Sequence, residues 1–216
     1  MTLKQSRNLA VRQVGKVNPR SLNLLFNQKR VNSKLVKNIF LNSVDKTVLN
    51  MLINHFVDNA KSGDVKLKLF LNRLVLKKFN PNSVSRWRVL NKFYNLAQEG
   101  DSFGLRGLLI GVKDSVLENR GCALKGLRYL AETGDVRVLD GLVFGLKDSN
   151  KYNRNVALDG LRLLAVKGDV RVLDGLVFGL KDSDSVNRGL AFGGLQELAE
   201  IGNLRAKKFL EEYKRK

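Results

Sequence analysis

The chain is 216 residues long and 44% hydrophobic, enough for a continuous core, and its one cysteine, Cys122, excludes an intramolecular disulfide and a cysteine-based zinc site. Its 39 Lys/Arg against 20 Asp/Glu give a net charge of +19, which points to a polyanionic partner, nucleic acid above all. No apolar run reaches the ~18 residues of a membrane span and no secretory signal pattern is present, so a soluble intracellular protein with no membrane partner is expected, in cytoplasm, nucleoid or nucleus.

Residues 1–29 contain Lys4, Arg7, Arg12, Lys16, Arg20 and Lys29 and no acid. Helical periodicity is weak through 1–17, and Asn18-Pro19 marks a break before the apolar run Leu22–Phe26. The composition predicts a basic arm that orders on a polyanion; a mitochondrial-type targeting segment, also basic and acid-free, is the competing reading. A weak helical unit follows over 30–63, where His55 has no Cys or His companion to make a metal site. Gly63-Asp64 opens a 37-residue unit ending at Gly100, with three extra residues around Asn80-Pro81-Asn82.

That unit combines Lys66, Lys68, Arg73, Lys77, Lys78, Arg86, Arg88 and Lys92 with Phe79, Trp87, Phe93 and Tyr94. Basic residues interleaved with aromatics suit stacking on single-stranded bases. The plainer alternative makes Phe79 and Phe93 core and the lysines a solvated face.

From Gly100 the chain is strictly periodic. Gly100, Gly134, Gly168 and Gly202 lie 34 residues apart, each followed by Asp or Asn, and 135–149 and 169–183 both read DVRVLDGLVFGLKDS. A fixed period of this size is the signature of a stacked-repeat solenoid. Each of the units 101–134, 135–168 and 169–202 carries Lys-Asp-Ser near its middle and an Asn-Arg pair soon after, with the Arg six residues beyond the Asp (Arg120, Arg154, Arg188). Residues 203–216 read as the first helix of a further unit.

Within 135–168, Val138, Leu139, Leu142, Val143 and Leu146 follow a helical stripe, and Ala157, Leu158, Leu161, Leu164 and Ala165 follow a second. Lys-Asp-Ser supplies the turn between them, Gly a left-handed C-cap, and the Asp after it an N-cap for the next helix. Paired glycines recur in each first helix (Gly107/Gly111, Gly141/Gly145, Gly175/Gly179), predicting close approach of a neighbouring helix backbone. The expected fold is all-α, a solenoid of about five two-helix repeats. A basic arm spans 1–29, divergent basic repeats 30–99, three regular repeats 100–202 and a C-terminal capping helix 203–216.

The unit GDVRVLDGLVFGLKDSDSVNRGLAFGGLQELAEIG resembles the short HEAT-like repeat of the PBS-lyase type, well over 100–202 and loosely over 30–99. The tetratricopeptide Trp/Tyr/Pro pattern and the ankyrin TPLH signature are absent. Asn119, Asn153 and Asn187 stand where the family has Val before Arg. The resemblance implies a right-handed superhelix with second helices lining its concave side, and an Arg–Asp ladder between repeats in place of a catalytic row. It implies no single activity.

Charge is divided unevenly. Residues 1–99 hold 19 Lys/Arg against 4 Asp/Glu, units 101–202 hold 14 against 14, and 203–216 hold 6 against 2. Repeat register aligns Trp87 with Gly121, Asn155 and Gly189, and Tyr94 with Arg128, Arg162 and Gln196. Together with Arg88 and Lys125 these columns make a candidate concave stripe.

The leading expectation is a non-enzymatic module binding DNA, RNA or a ribonucleoprotein through Lys77, Lys78, Arg86, Trp87, Arg88, Lys92, Tyr94, Lys125, Arg128 and Arg162. An interaction scaffold for an acidic protein partner is the first alternative. Resemblance to the HEAT-like alkylpurine DNA glycosylases is a second, with Trp87 and Asp159 as its candidate residues. No phosphate loop, metal cluster or catalytic triad spacing is present, so no cofactor, metal or catalytic residue is expected.

Overall fold

A computed structural model describes the backbone of residues 83–214 and the side chains of 86–213. The basic arm, the weak unit, Lys77, Lys78 and the Asn80-Pro81-Asn82 insertion lie outside the described residues. The chain divides into two compact units, Met1–Lys92 and Phe93–Lys216, with the division inside helix α1 (Ser83–Gln98).

The second unit is helical throughout its described length, and no strand occurs among the described residues. Its hairpins are α2 (Ser102–Gly111) with α3 (Leu117–Glu132), α4 (Leu139–Gly145) with α5 (Lys151–Val166), and α6 (Leu173–Gly179) with α7 (Ser185–Glu200). Helix α8 (Leu204–Lys214) follows in the place of a first helix. The second helices α3, α5 and α7 stack on one another, and each first helix leans on the second helix of its own hairpin.

Local chemistry fixes the boundaries. Gly100, Gly134, Gly168 and Gly202 have φ of 82°, 87°, 84° and 96°, a left-handed conformation in which glycine carries no Cβ penalty. At the end of α3 the Gly134 and Asp135 amides donate to the carbonyls of Ala131 and Leu130, closing a Schellman motif. Asp101 then caps α2 through the amide of Phe103.

In the two duplicated hairpins the capping Asp135 and Asp169 are followed by a short 3-10 turn (Val136–Val138, Val170–Val172), so α4 and α6 start later than the apolar stripe predicts. Each Asp carboxylate holds both the amide and the guanidinium of the Arg two residues on, which tightens that first turn.

The inner faces are apolar as the periodicity predicts: Val138, Leu142, Leu146, Ala157, Leu158, Leu161, Leu164 and Ala165 are buried. Each such Leu contributes roughly 2 kcal/mol of burial. Val143 is a correction: it is exposed, although its Cγ2 lies 3.6 Å from the place a Cβ on Gly175 of the next hairpin would take.

The paired glycines Gly141/Gly145 and Gly175/Gly179 are packing sites, but for side chains and not, as expected, for a neighbouring backbone. A Cβ on Gly141 would lie 2.4 Å from Leu127 Cδ1, and one on Gly179 2.4 Å from Leu158 Cδ2 and 2.9 Å from Ala191 Cβ. Leucines of the preceding hairpin are seated in the space a Cβ would take.

Candidate functional site

The three turns between first and second helices share one construction. Asp114, Asp148 and Asp182 each accept the backbone amide two residues on, at 2.8, 2.9 and 2.9 Å. Nη1 of Arg120, Arg154 and Arg188 donates to the two carbonyls of its own turn, for Arg154 those of Asp148 (3.0 Å) and Ser149 (3.4 Å). The other edge of the guanidinium reaches forward one repeat. Arg120 grips Asp148 at 2.6 and 3.0 Å, and Arg154 grips Asp182 at 2.7 and 2.9 Å.

Two parallel N–H···O bonds to a carboxylate are the strong, direction-specific form of this contact. The Arg154 fork holds the Asp182 carboxyl down to about 2. Burial raises the pKa of Asp148, yet the Arg120 fork, the Asn150 amide and Asn153 Nδ2 outweigh it and the net shift is downward.

A second ladder went unread in the sequence. Asn153 and Asn187 are buried and donate from Nδ2 to the carbonyls of Leu117 (3.4 Å) and Lys151 (3.1 Å) in the preceding hairpin, and Asn155 donates to Asn187 Oδ1 at 3.0 Å. The departure from Val noted above was its signal: only a side chain with both donor and acceptor can join two helices and a turn here.

The candidate stripe residues have diverse surroundings. Within the first unit, Arg86 is buried at 4% exposure and Trp87 is 45% exposed. Arg88 and Lys92 are half-buried, with Arg88 Nη1 enclosed and lacking a hydrogen bond.

Within the second unit, Tyr94 meets Tyr129 edge to face at 5.5 Å, and its hydroxyl accepts from Gln98. Lys125 is exposed. Arg128 donates to Asp159 at 2.6 Å and to Glu132 at 3.1 Å, while Arg162 donates to Asp159 at 3.2 Å. Both oxygens of Asp159 are thus held by guanidinium groups, an arrangement that suits bracing between α3 and α5. Cys122 is half-buried, and burial pushes its thiol pKa up, away from the reactive thiolate.

The turn edge carries a second surface. Phe144 and Phe178 occupy the same register near the ends of α4 and α6 and are 44% and 50% exposed. They fall outside the apolar stripe, and that misfit was their signal in the sequence. Lys113 Nζ lies 5.3 Å from the centre of the Phe144 ring, linking one hairpin's turn to the next hairpin's aromatic. Between the second and third hairpins Leu146, Lys147, Asp148, Arg154, Phe178, Lys181, Asp182 and Ser183 line a cleft of about 370 Å³. Among the described residues, no group of His, Cys, Asp and Glu could hold a metal ion, and no helix is long and apolar enough to cross a membrane.

No family model and no curated protein matches the chain. Among solved structures, one described by the words "TOG-tubulin binding specificity promotes microtubule dynamics and mitotic spindle formation" superimposes with a TM-score of 0.56 at 18% identity, over 96% of this chain and 90% of that chain. The likeness is one of fold, and the described residues are all-helical, as in a HEAT-repeat solenoid.

Proposed function

We propose that this chain is a non-enzymatic, protein-binding solenoid that takes an acidic partner along its turn edge. The carrying observation is the exposed aromatic column Phe144/Phe178 in register with the exposed lysines Lys113, Lys147 and Lys181. An exposed large apolar side chain that recurs at a fixed period and serves no core marks an interaction surface. The structural neighbour's description, which concerns tubulin binding, supports a protein partner.

The nucleic-acid reading draws its support from the +15 of residues 1–99, since Arg128 and Arg162 in the second unit are already paired with carboxylates. Capture on the immobilised full-length chain, with and without nuclease, separates the two. The scaffold reading expects a discrete protein that survives nuclease and is lost from the Phe144→Ser/Phe178→Ser double variant, whose melting temperature stays near that of the parent because neither ring is core. Capture that disappears with nuclease and ignores the double variant overturns it in favour of nucleic acid.

A further inference from the structure

Charge is unevenly satisfied in the cleft between the second and third hairpins. Its two carboxylates are already held, Asp148 by Arg120 and Asp182 by Arg154. Its two lysines are not: Lys147 and Lys181 are exposed and form no ion pair among the described residues. The cleft therefore presents residual positive charge beside an apolar wall, the Phe178 ring with Leu146 next to it. The duplicated hairpins differ here in spite of their identical sequence. Lys113 stands over the Phe144 ring, whereas among the described residues no ammonium group stands over Phe178. Both hairpins that wall the cleft are described throughout, so it lies inside the repeat array and not at its end.

We infer that this cleft docks a short acidic segment of a partner protein, which lays one aliphatic side chain on the Phe178 ring and sets a neighbouring Asp or Glu against Lys147 and Lys181. Size, charge and apolar surface together select that occupant. At about 370 Å³ the cleft is near the lower end of ligand-sized clefts, roughly 300–1,000 Å³, and has room for one or two side chains. A carboxylate entering it meets two lysines that need break no internal ion pair to receive it. The half-exposed ring is the kind of aromatic anchor that dominates an interface once it is covered. Units 101–202 hold 14 Lys/Arg against 14 Asp/Glu, so no extended positive field runs along them to draw a phosphate backbone, and a charge confined to one cleft suits a short acidic motif.

This inference rests on the scaffold reading and deepens it by separating Phe178 from Phe144. The probe is a fluorescein-labelled peptide, Asp-Asp-Leu-Glu-Asp, titrated at low salt into the full-length chain and compared by anisotropy with the equally charged Asp-Asp-Ser-Glu-Asp. Equal charge cancels the general attraction of an acidic peptide to a basic chain. The parent should bind the Ser peptide about fivefold more weakly, a preference that Phe178→Ser loses and Phe144→Ser keeps. Lys147→Gln/Lys181→Gln changes two exposed side chains and no internal bond, so it tests the cleft without disturbing the fold. It should weaken the Leu peptide about tenfold, against less than about threefold for the charge-matched Lys113→Gln/Lys125→Gln.

Equal binding of the Leu and Ser peptides by the parent overturns the proposal, as does a preference that survives in Phe178→Ser. Equal losses in the two lysine pairs would make the attraction a matter of net charge and overturn it likewise. A single-stranded oligonucleotide that displaces the peptide and depends on Phe178 assigns the cleft to nucleic acid and overturns the protein partner. Lysate capture separates this failure from that of the scaffold reading. Capture lost equally from Phe144→Ser and Phe178→Ser keeps the scaffold and overturns the cleft, whereas capture indifferent to both overturns the scaffold reading and the inference with it.

Discussion

Arg154 closes its guanidinium on Asp182, 28 residues ahead, with Nε to Oδ2 at 2.7 Å and Nη2 to Oδ1 at 2.9 Å, while its Nη1 holds the turn it starts from. One side chain thereby sets the spacing of two consecutive turns. Because Asp182 is only 6% exposed, removing its partner strands a desolvated charge. Arg154→Ala is expected to cost about 2–4 kcal/mol in urea unfolding, and the double variant Arg154→Ala/Asp182→Asn to recover part of that loss. Equal destabilisation of the single and double variants would show that the pair is not coupled.

Acid should loosen the same rung. The Asp182 carboxyl is held at about 2 when folded and returns to about 3.9 when unfolded. Its folded pKa is the lower one, so the stability it contributes is present above about pH 4 and is lost as pH falls toward 2. The contribution is on the order of 2 kcal/mol. Urea midpoints measured from pH 5 to pH 2 should therefore fall more steeply for the parent than for Asp182→Asn.

Two glycines of adjacent helices should respond in opposite directions. Gly179→Ala places a methyl 2.9 Å from Ala191 Cβ, which cannot yield without moving α7, and is expected to cost about 1–3 kcal/mol. Gly189 lies within α7 with no neighbour within 4 Å of a Cβ, and Gly189→Ala is expected to gain about 0.5–1 kcal/mol from helix propensity alone. Thermal melts of the two variants decide the matter, and matching signs would contradict this packing account.

The caps of the second helices are unequal. Asn150 and Asp184 accept amides at the starts of α5 and α7, whereas Val116, at φ −89° and ψ 126°, holds the same backbone geometry before α3 with no side-chain bond. Val116→Asn should raise stability by about 0.5–1 kcal/mol, and Asn150→Ala should lower it by about 1 kcal/mol. A Val116→Asn variant no more stable than the parent would show that the valine's partial burial outweighs the cap.

The sequence alone determined the helical hairpins, their glycine-ended boundaries and the burial of the Ala157–Ala165 stripe, because these follow from spacing within one helix and from backbone chemistry at single residues. The resemblance to HEAT-like repeats implied the Arg–Asp ladder, though not which contact is made within a repeat and which between repeats. Tertiary structure decided that Asp159 is shared by Arg128 and Arg162, that Asn153 and Asn187 tie successive hairpins together, and that leucines fill the glycine gaps. It also left Phe144 and Phe178 on the outside. Those outcomes depend on the rotation and offset between neighbouring repeats, which bring together residues roughly 30 positions apart, and no periodicity within one repeat encodes that offset.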